Sequence, residues 1–469
     1  MTAAEQAFAQ LMILAAREPP DFVRFEGGPP ALATRFHAEE AAAAALAAGG
    51  AVAADLWTLR SGARQTVTAG TREAAAGLGG FGFQRFDDAS RAPPARGTGA
   101  DAIRLAIAGF APTRDGRHVF LHPSFPPSAD RLCALLGVPT EREAAHAAVL
   151  KWDAMDLENA IAEAGLCGAM VRTPQEWDAS DQGRVLAARP VVEVIKIADS
   201  PPEPLAKGGE APLSGVRVLD LTRVLAGPTC ARTLAQYGAD VLYVAGPDLP
   251  FAPAFVADTN HGKLSCFVDL KAEDGRQTLR ALLKDADVFS QGFRVGVLER
   301  MGFGPLELAA LRPGLIYVSI NAYGHEGAWR GRPGWEQLAQ TVTGMAHVHG
   351  GEAGPQLQPA AVCDYTTGFL AAFGALVALH RRALYGGSYM VRASLSQTGM
   401  WVRGLGVAGQ GRLDANVPLE GDEIDGYAMK SDSGFGPMTH LRPAVRMSAT
   451  PPQWKRPTRP LGSDPAAWP

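Results

Sequence analysis

The chain has 469 residues, 47% of them hydrophobic and 20% charged, with a formal net charge of −4. That length exceeds one ordinary core, so two or more lobes are expected. The balance lacks the basic excess of a nucleic-acid-binding or membrane-surface protein, and neither nucleic acid nor a membrane is an expected partner.

Five cysteines, Cys133, Cys167, Cys230, Cys266 and Cys363, are scattered without CxxC spacing. They read as reduced thiols, not as a disulfide frame or a zinc site. Residues 1–17 carry no basic leader and no small-residue cleavage site, and no uncharged apolar run of about 18 residues is read anywhere. A cytoplasmic protein without a membrane span is therefore expected.

Residues 1–100 are alanine-rich and helical in character, most clearly at 31–54, followed by a strand-like piece at 65–69, a glycine-rich turn at 77–82 and a loop at 90–99. Residues 101–198 read as a small α+β lobe, with strands at 101–109 and 118–122 and helices at 128–136 and 141–164. Trp152, Leu157, Ile161 and Leu166 recur at helical spacing and face a core. A Pro-rich linker occupies 199–211.

The pattern then changes. Strands at 216–221, 240–244, 264–269, 288–291 and 315–321 alternate with helices at 229–237, 274–285 and 305–312. This alternation predicts an α/β fold, a doubly wound, Rossmann-like parallel sheet beside the smaller α+β domain. A weak internal echo links 51–75 with 375–398: an alanine-rich helix, a polar turn with glycine, then a short strand.

The turn 224–229, Val-Leu-Ala-Gly-Pro-Thr, joins the first strand of this region to its helix, at the sheet edge where helix N–H groups suit phosphate. It lacks GxGxxG, and Pro228 is also explained as an ordinary first helical residue. A literal GxGxxG, formed by Gly404, Gly406 and Gly409, follows a helical stretch instead of a strand, so it reads as a glycine loop and not a dinucleotide site. His347 and His349 lack a third ligand at recognisable spacing, and no metal is expected. Lys263 and Arg294 sit in turns where cations could meet phosphates.

The stretch 359–383 reads as a buried helix, with Asp364 near its start and His380-Arg381-Arg382 in its last turn. Two readings of Asp364 stand side by side. It is either a helix N-cap, accepting backbone N–H groups, or a carboxylate nucleophile aimed into a pocket from the positive end of a helix.

Several stretches together resemble the family III CoA-transferases of the CaiB/BaiF type. They are 212–228 (PLSGVRVLDLTRVLAGP), Gly238-Ala239-Asp240-Val241, Asn260-His261-Gly262-Lys263-Leu264-Ser265, Met301-Gly302-Phe303, Ala322-Tyr323-Gly324 and Asp364-Tyr365-Thr366-Thr367-Gly368. The small lobe also resembles the family, through 172–177 (RTPQEW) and 181–187, but as the part that ordinarily follows the catalytic domain. The domain order is thus permuted or duplicated. Residues 1–100 form an alanine-rich segment or degenerate half-repeat, 101–198 the small domain, 199–211 a linker, 212–412 the catalytic domain and 413–469 a C-terminal extension.

The resemblance implies an enzyme that moves CoA from an acyl-CoA to a carboxylic acid through a covalent intermediate on Asp364, with CoA as a substrate and no tightly bound cofactor. It implies CoA contacts from Leu225, Ala226, Lys263, Arg294 and Arg300, a shielding loop at Gly404, Gly406 and Gly409, and a homodimer. The strand end 243–247, Tyr-Val-Ala-Gly-Pro, departs from the family's Lys-Val-Glu-Pro type. Two alternatives accompany this reading. One is an α-methylacyl-CoA racemase, whose catalytic histidine position is here Trp335 in Gly334-Trp335-Glu336-Gln337; tryptophan exchanges no proton. The other is a non-catalytic CoA-binding protein.

Overall fold

A computed structural model describes residues 1–94 and 100–469. Its centre is a seven-stranded sheet in the order Lys263–Phe267, Asp240–Ala245, Arg217–Leu221, Val288–Gln291, Ile316–Asn321, Ser388–Ser394, Val192–Ala198. Six strands are parallel, and Val192–Ala198 pairs antiparallel at one edge. Both faces are covered: Val218 and Val241 point into one apolar core, Leu219 and Leu242 into the other. That explains the near-continuous apolar runs of these strands. The strand order reverses between Arg217–Leu221 and Val288–Gln291, which opens a crevice at their carboxyl ends.

The small lobe has its own antiparallel sheet, Gly109–Pro112, His118–Leu121 and Gly168–Met170, and its own core around Leu132, Leu157 and Ile161. Two expectations are corrected here. The strand read at 101–109 is a helix, Ala100–Ile107, leading into Gly109–Pro112. Its alternation of apolar residues mimicked a strand, but alanines at 102 and 106 favour the helix. The helix read at 141–164 is two, Arg142–Val149 and Ala154–Glu163, separated by a turn at Trp152.

The helices Ala38–Ser61 and Val362–Tyr385, each 24 residues, pack on one another in the largest core. Both are long and apolar enough to cross a membrane by composition, although charged residues keep each uncharged run below about 18; both are mostly buried within the protein. Each is followed by a strand, Val67–Gly70 or Ser388–Ser394, that runs directly into another helix, Thr71–Gly77 or Leu395–Gly404. Each of these strands has a parallel neighbour on one side and an antiparallel one on the other. The antiparallel neighbour is distant in sequence in both cases: Val445–Met447 beside Val67–Gly70, Val192–Ala198 beside Ser388–Ser394. The sequence echo at 51–75 and 375–398 falls on these two units.

Candidate active site

Asp364 is the third residue of Val362–Tyr385, and its side chain is buried. It is not the N-cap; Ala361 is, and it offers no side-chain bond. The capping carboxylate belongs to Glu336. It accepts the Cys363 N–H at 3.0 Å and the Asp364 N–H, and the Gln340 amide donates to it as well. The helix's first free donors are thereby spent on Glu336.

This inverts an expectation. The nucleophile reading places a carboxylate at the positive end of a helix. Burial, and then the charge of Glu336, instead push its carboxyl well above the ordinary carboxylate range. Burial also raises Glu336, opposed by the hydrogen bonds it accepts. Those bonds all favour its charged form.

Gly368, one turn after Asp364, explains the Asp-Tyr-Thr-Thr-Gly pattern. A Cβ there would come within 2.6 Å of the Ala226 carbonyl and the Thr229 Cβ. Glycine lets the Asp364 helix approach the N-terminus of Ala226–Gln236 closely. The turn before that N-terminus contains Val224 at φ 71°, a left-handed conformation that β-branched residues rarely adopt.

Two cavities share a wall of Ser124, Phe125, Val224, Leu225, Trp335 and Asp364. The first, about 360 Å³, lies in the crevice where the strand order reverses; Leu225, Ala226, Arg223 and Arg294 line it. The second, about 760 Å³, extends past Phe81, Phe251 and Phe255. Trp335 closes between them, stacked on His122 at 4.9 Å and donating its indole N–H to Ser124 Oγ at 2.9 Å.

The expected CoA contacts divide. Leu225, Ala226 and Arg294 line the first cavity. Lys263 does not: it is fully buried, its Nζ donating at 2.8 Å to Asp220 Oδ2 and at 2.8 Å to the Pro228 carbonyl. Asp220 also accepts from Thr222. Lys263 thus braces the turn that carries Leu225 and Ala226. Arg300 is exposed and lines neither cavity.

The glycine loop is also displaced from its expected place. Gly404 ends one helix and Gly409 precedes another; Val407 bridges to Phe36 and the Ala408 N–H donates to the Arg35 carbonyl, at the start of the other long helix. The glycine-rich segment at Asp364 is the earlier one. The Tyr365 hydroxyl donates to Asp258 at 2.7 Å and accepts the Phe81 N–H at 3.1 Å. A Cβ on Gly80 would meet Asp258 Oδ1 at 2.9 Å. The Leu78 carbonyl accepts the Ala361 N–H. Nothing local to the 77–82 turn signals that it belongs beside Tyr365, 284 positions away. Glu336 was equally hidden, read only as the neighbour of an absent histidine.

Among the described residues, no group of three or more His, Cys, Asp or Glu stands together as a metal site.

The sequence profile of CoA-transferase family III matches residues 213–432. This span carries the parallel sheet, the Asp364 helix and both cavity turns. The match to that family covers just under half of the chain. It is 34% identical over 334 residues to the acetyl-coenzyme A transferase nodX of Hypoxylon pulicicidum, covering 66% of this chain and 56% of that protein. It is 33% identical over 201 residues to the succinyl-CoA–L-malate CoA-transferase beta subunit of Chloroflexus aurantiacus, covering 40% and 50%. A crystal structure of a CaiB/BaiF family protein from Brucella suis is 31% identical over 42% of this chain and 56% of that chain, with a TM-score of 0.39. The chain spans about half the length of the curated relatives it matches.

Proposed function

We propose that the chain transfers CoA from an acyl-CoA to a carboxylic acid, with Asp364 as the covalent nucleophile. The observation that carries this is the junction of two cavities at one buried carboxyl group of a family III domain. The first cavity, with helix N–H groups and Arg294 at the sheet's carboxyl edge, suits the phosphates and pantetheine arm of CoA.

The ionised Asp364 attacks the thioester carbonyl carbon; the C–S bond breaks and CoA leaves as the thiolate. The thiolate then attacks the Asp364 carbonyl carbon of the mixed anhydride, releasing the donor acid as its carboxylate and leaving an aspartyl-CoA thioester. The acceptor carboxylate attacks that same carbon and expels CoA thiolate, which finally takes the acceptor's acyl carbon and restores the Asp364 carboxylate. No water or redox partner enters. Covalent catalysis divides an exchange between two weak nucleophiles into easier steps.

Within this scheme the Gly79–Phe81 segment, held by Tyr365, shields the anhydride from water, and Lys263 is a positioning residue. A racemase reading has less support, because the position expected to bear its histidine holds Trp335, whose N–H is committed to Ser124.

The test is CoA exchange between a donor thioester and an acceptor acid, wild type against Asp364→Ala. The variant is expected to lose turnover while still binding CoA. Wild-type turnover in the variant would overturn the proposal.

A further inference from the structure

We infer that the second cavity is the acyl site and that the acyl group it takes is large and apolar, aromatic or branched, instead of a short dicarboxylate. The inference rests on the transferase reading of Asp364 and specifies its substrate.

Position makes the assignment. The two cavities meet at Asp364, Val224, Leu225 and Trp335. A thioester whose carbonyl carbon lies at Asp364 must place CoA on one side and the acyl chain on the other. The crevice side carries the helix N-terminus and Arg294, Arg330 and Arg332, so the acyl chain enters the other.

Size and chemistry give the class. At about 760 Å³ the second cavity is within the range, roughly 300–1,000 Å³, of sites that enclose a whole organic ligand. Its walls include Phe81, Phe120, Phe255 and Leu357, with Phe251, an exposed ring, at its margin. Phe81 and Phe255 meet edge-to-face with centroids 4.8 Å apart, forming a rigid aromatic corner. A two-carbon acyl group would leave most of this surface wet and unfilled. A dicarboxylate would carry a second charge into it. Among the described lining residues, Asp248, Glu336 and Asp364 are acidic, against Arg104 and His122 as the cationic or potentially cationic ones. That balance offers a second carboxylate no net attraction, and burying it among phenyl rings is costly.

The test compares phenylacetyl-CoA and isovaleryl-CoA with acetyl-CoA and succinyl-CoA as donors, using one common acceptor. The apolar donors are expected to exceed succinyl-CoA in kcat/KM by about a hundredfold or more, the scale on which a fitted pocket discriminates. Leu357→Trp, which fills the cavity, should lower kcat/KM for phenylacetyl-CoA at least tenfold more than it lowers kcat/KM for acetyl-CoA. A preference for succinyl-CoA, or equal loss for every donor in a folded Leu357→Trp variant, would overturn the inference and leave the transferase reading intact. Absence of exchange with all four donors, together with no donor adduct on Asp364, would instead overturn the transferase reading on which it rests.

Discussion

Glu336 takes the amides of Cys363 and Asp364 at the head of a buried helix, leaving Asp364 beside a second carboxyl group and without the donors of its own helix. Burial and the neighbouring carboxylate both raise the Asp364 carboxyl above the ordinary range.

The pair predicts a pH effect. Replacing Glu336 with glutamine keeps an oxygen for the helix amides but removes the charge facing Asp364. The acid limb of kcat/KM should move to lower pH, because the charge that raises the Asp364 carboxyl is gone. A pH–rate profile checks it. An unmoved limb would show that Glu336 does not bias Asp364.

Stability should run opposite to activity. The folded-state pKa of Asp364 lies above its unfolded value, so the folded chain keeps a proton the unfolded chain has released. This contribution is full below the ordinary carboxylate range and is lost as pH rises toward the folded value. Asp364→Asn should therefore stabilise the protein at neutral pH, by about 1 kcal/mol, with the gain shrinking as pH falls to about 4. Urea unfolding at the two pH values measures it.

Lys263 and Arg294 should separate cleanly. Lys263→Met leaves Asp220 buried without its partner and should cost about 3–5 kcal/mol of stability, with KM for acyl-CoA unchanged in the molecules that remain folded. Arg294→Ala should leave stability alone and raise KM for acyl-CoA about tenfold at constant kcat, the signature of lost uniform binding. Thermal unfolding and steady-state kinetics on the two variants decide between bracing and binding.

Gly368→Ala tests the close approach of the two helices. The added methyl meets the Ala226 carbonyl and Thr229 at 2.6 Å, so the variant should lose about 1–3 kcal/mol as the helices part. The shift also moves Asp364 from the Leu225–Gly227 turn, and kcat should fall with it. Stability and kcat measured on this one variant test both links.

The sheet was legible because a parallel strand covered on both faces is a short continuous apolar run, and Val288–Gln291 appears in the structure with the bounds read from its sequence. The buried helix that carries Asp364 was legible in its apolar run, and Gly368 supplies the steric reason for the last residue of the Asp-Tyr-Thr-Thr-Gly motif. The walls of the site were not. Phe81, Phe120 and Trp335 come from distant segments, and nothing in the residues around Phe81 announces that Tyr365 holds it. Lys263 was misread for a related reason: a lysine in a turn signals solvent or phosphate, and only the fold shows Asp220 and the Pro228 carbonyl enclosing it.

The central claim, covalent catalysis at Asp364, is tested most directly by peptide mass spectrometry of protein quenched during turnover with a donor acyl-CoA. The account predicts a CoA-sized adduct on the peptide containing Asp364, converted by hydroxylamine to a hydroxamate at that residue. Turnover proceeding with an unmodified Asp364 peptide, or with the adduct on another side chain, would contradict it.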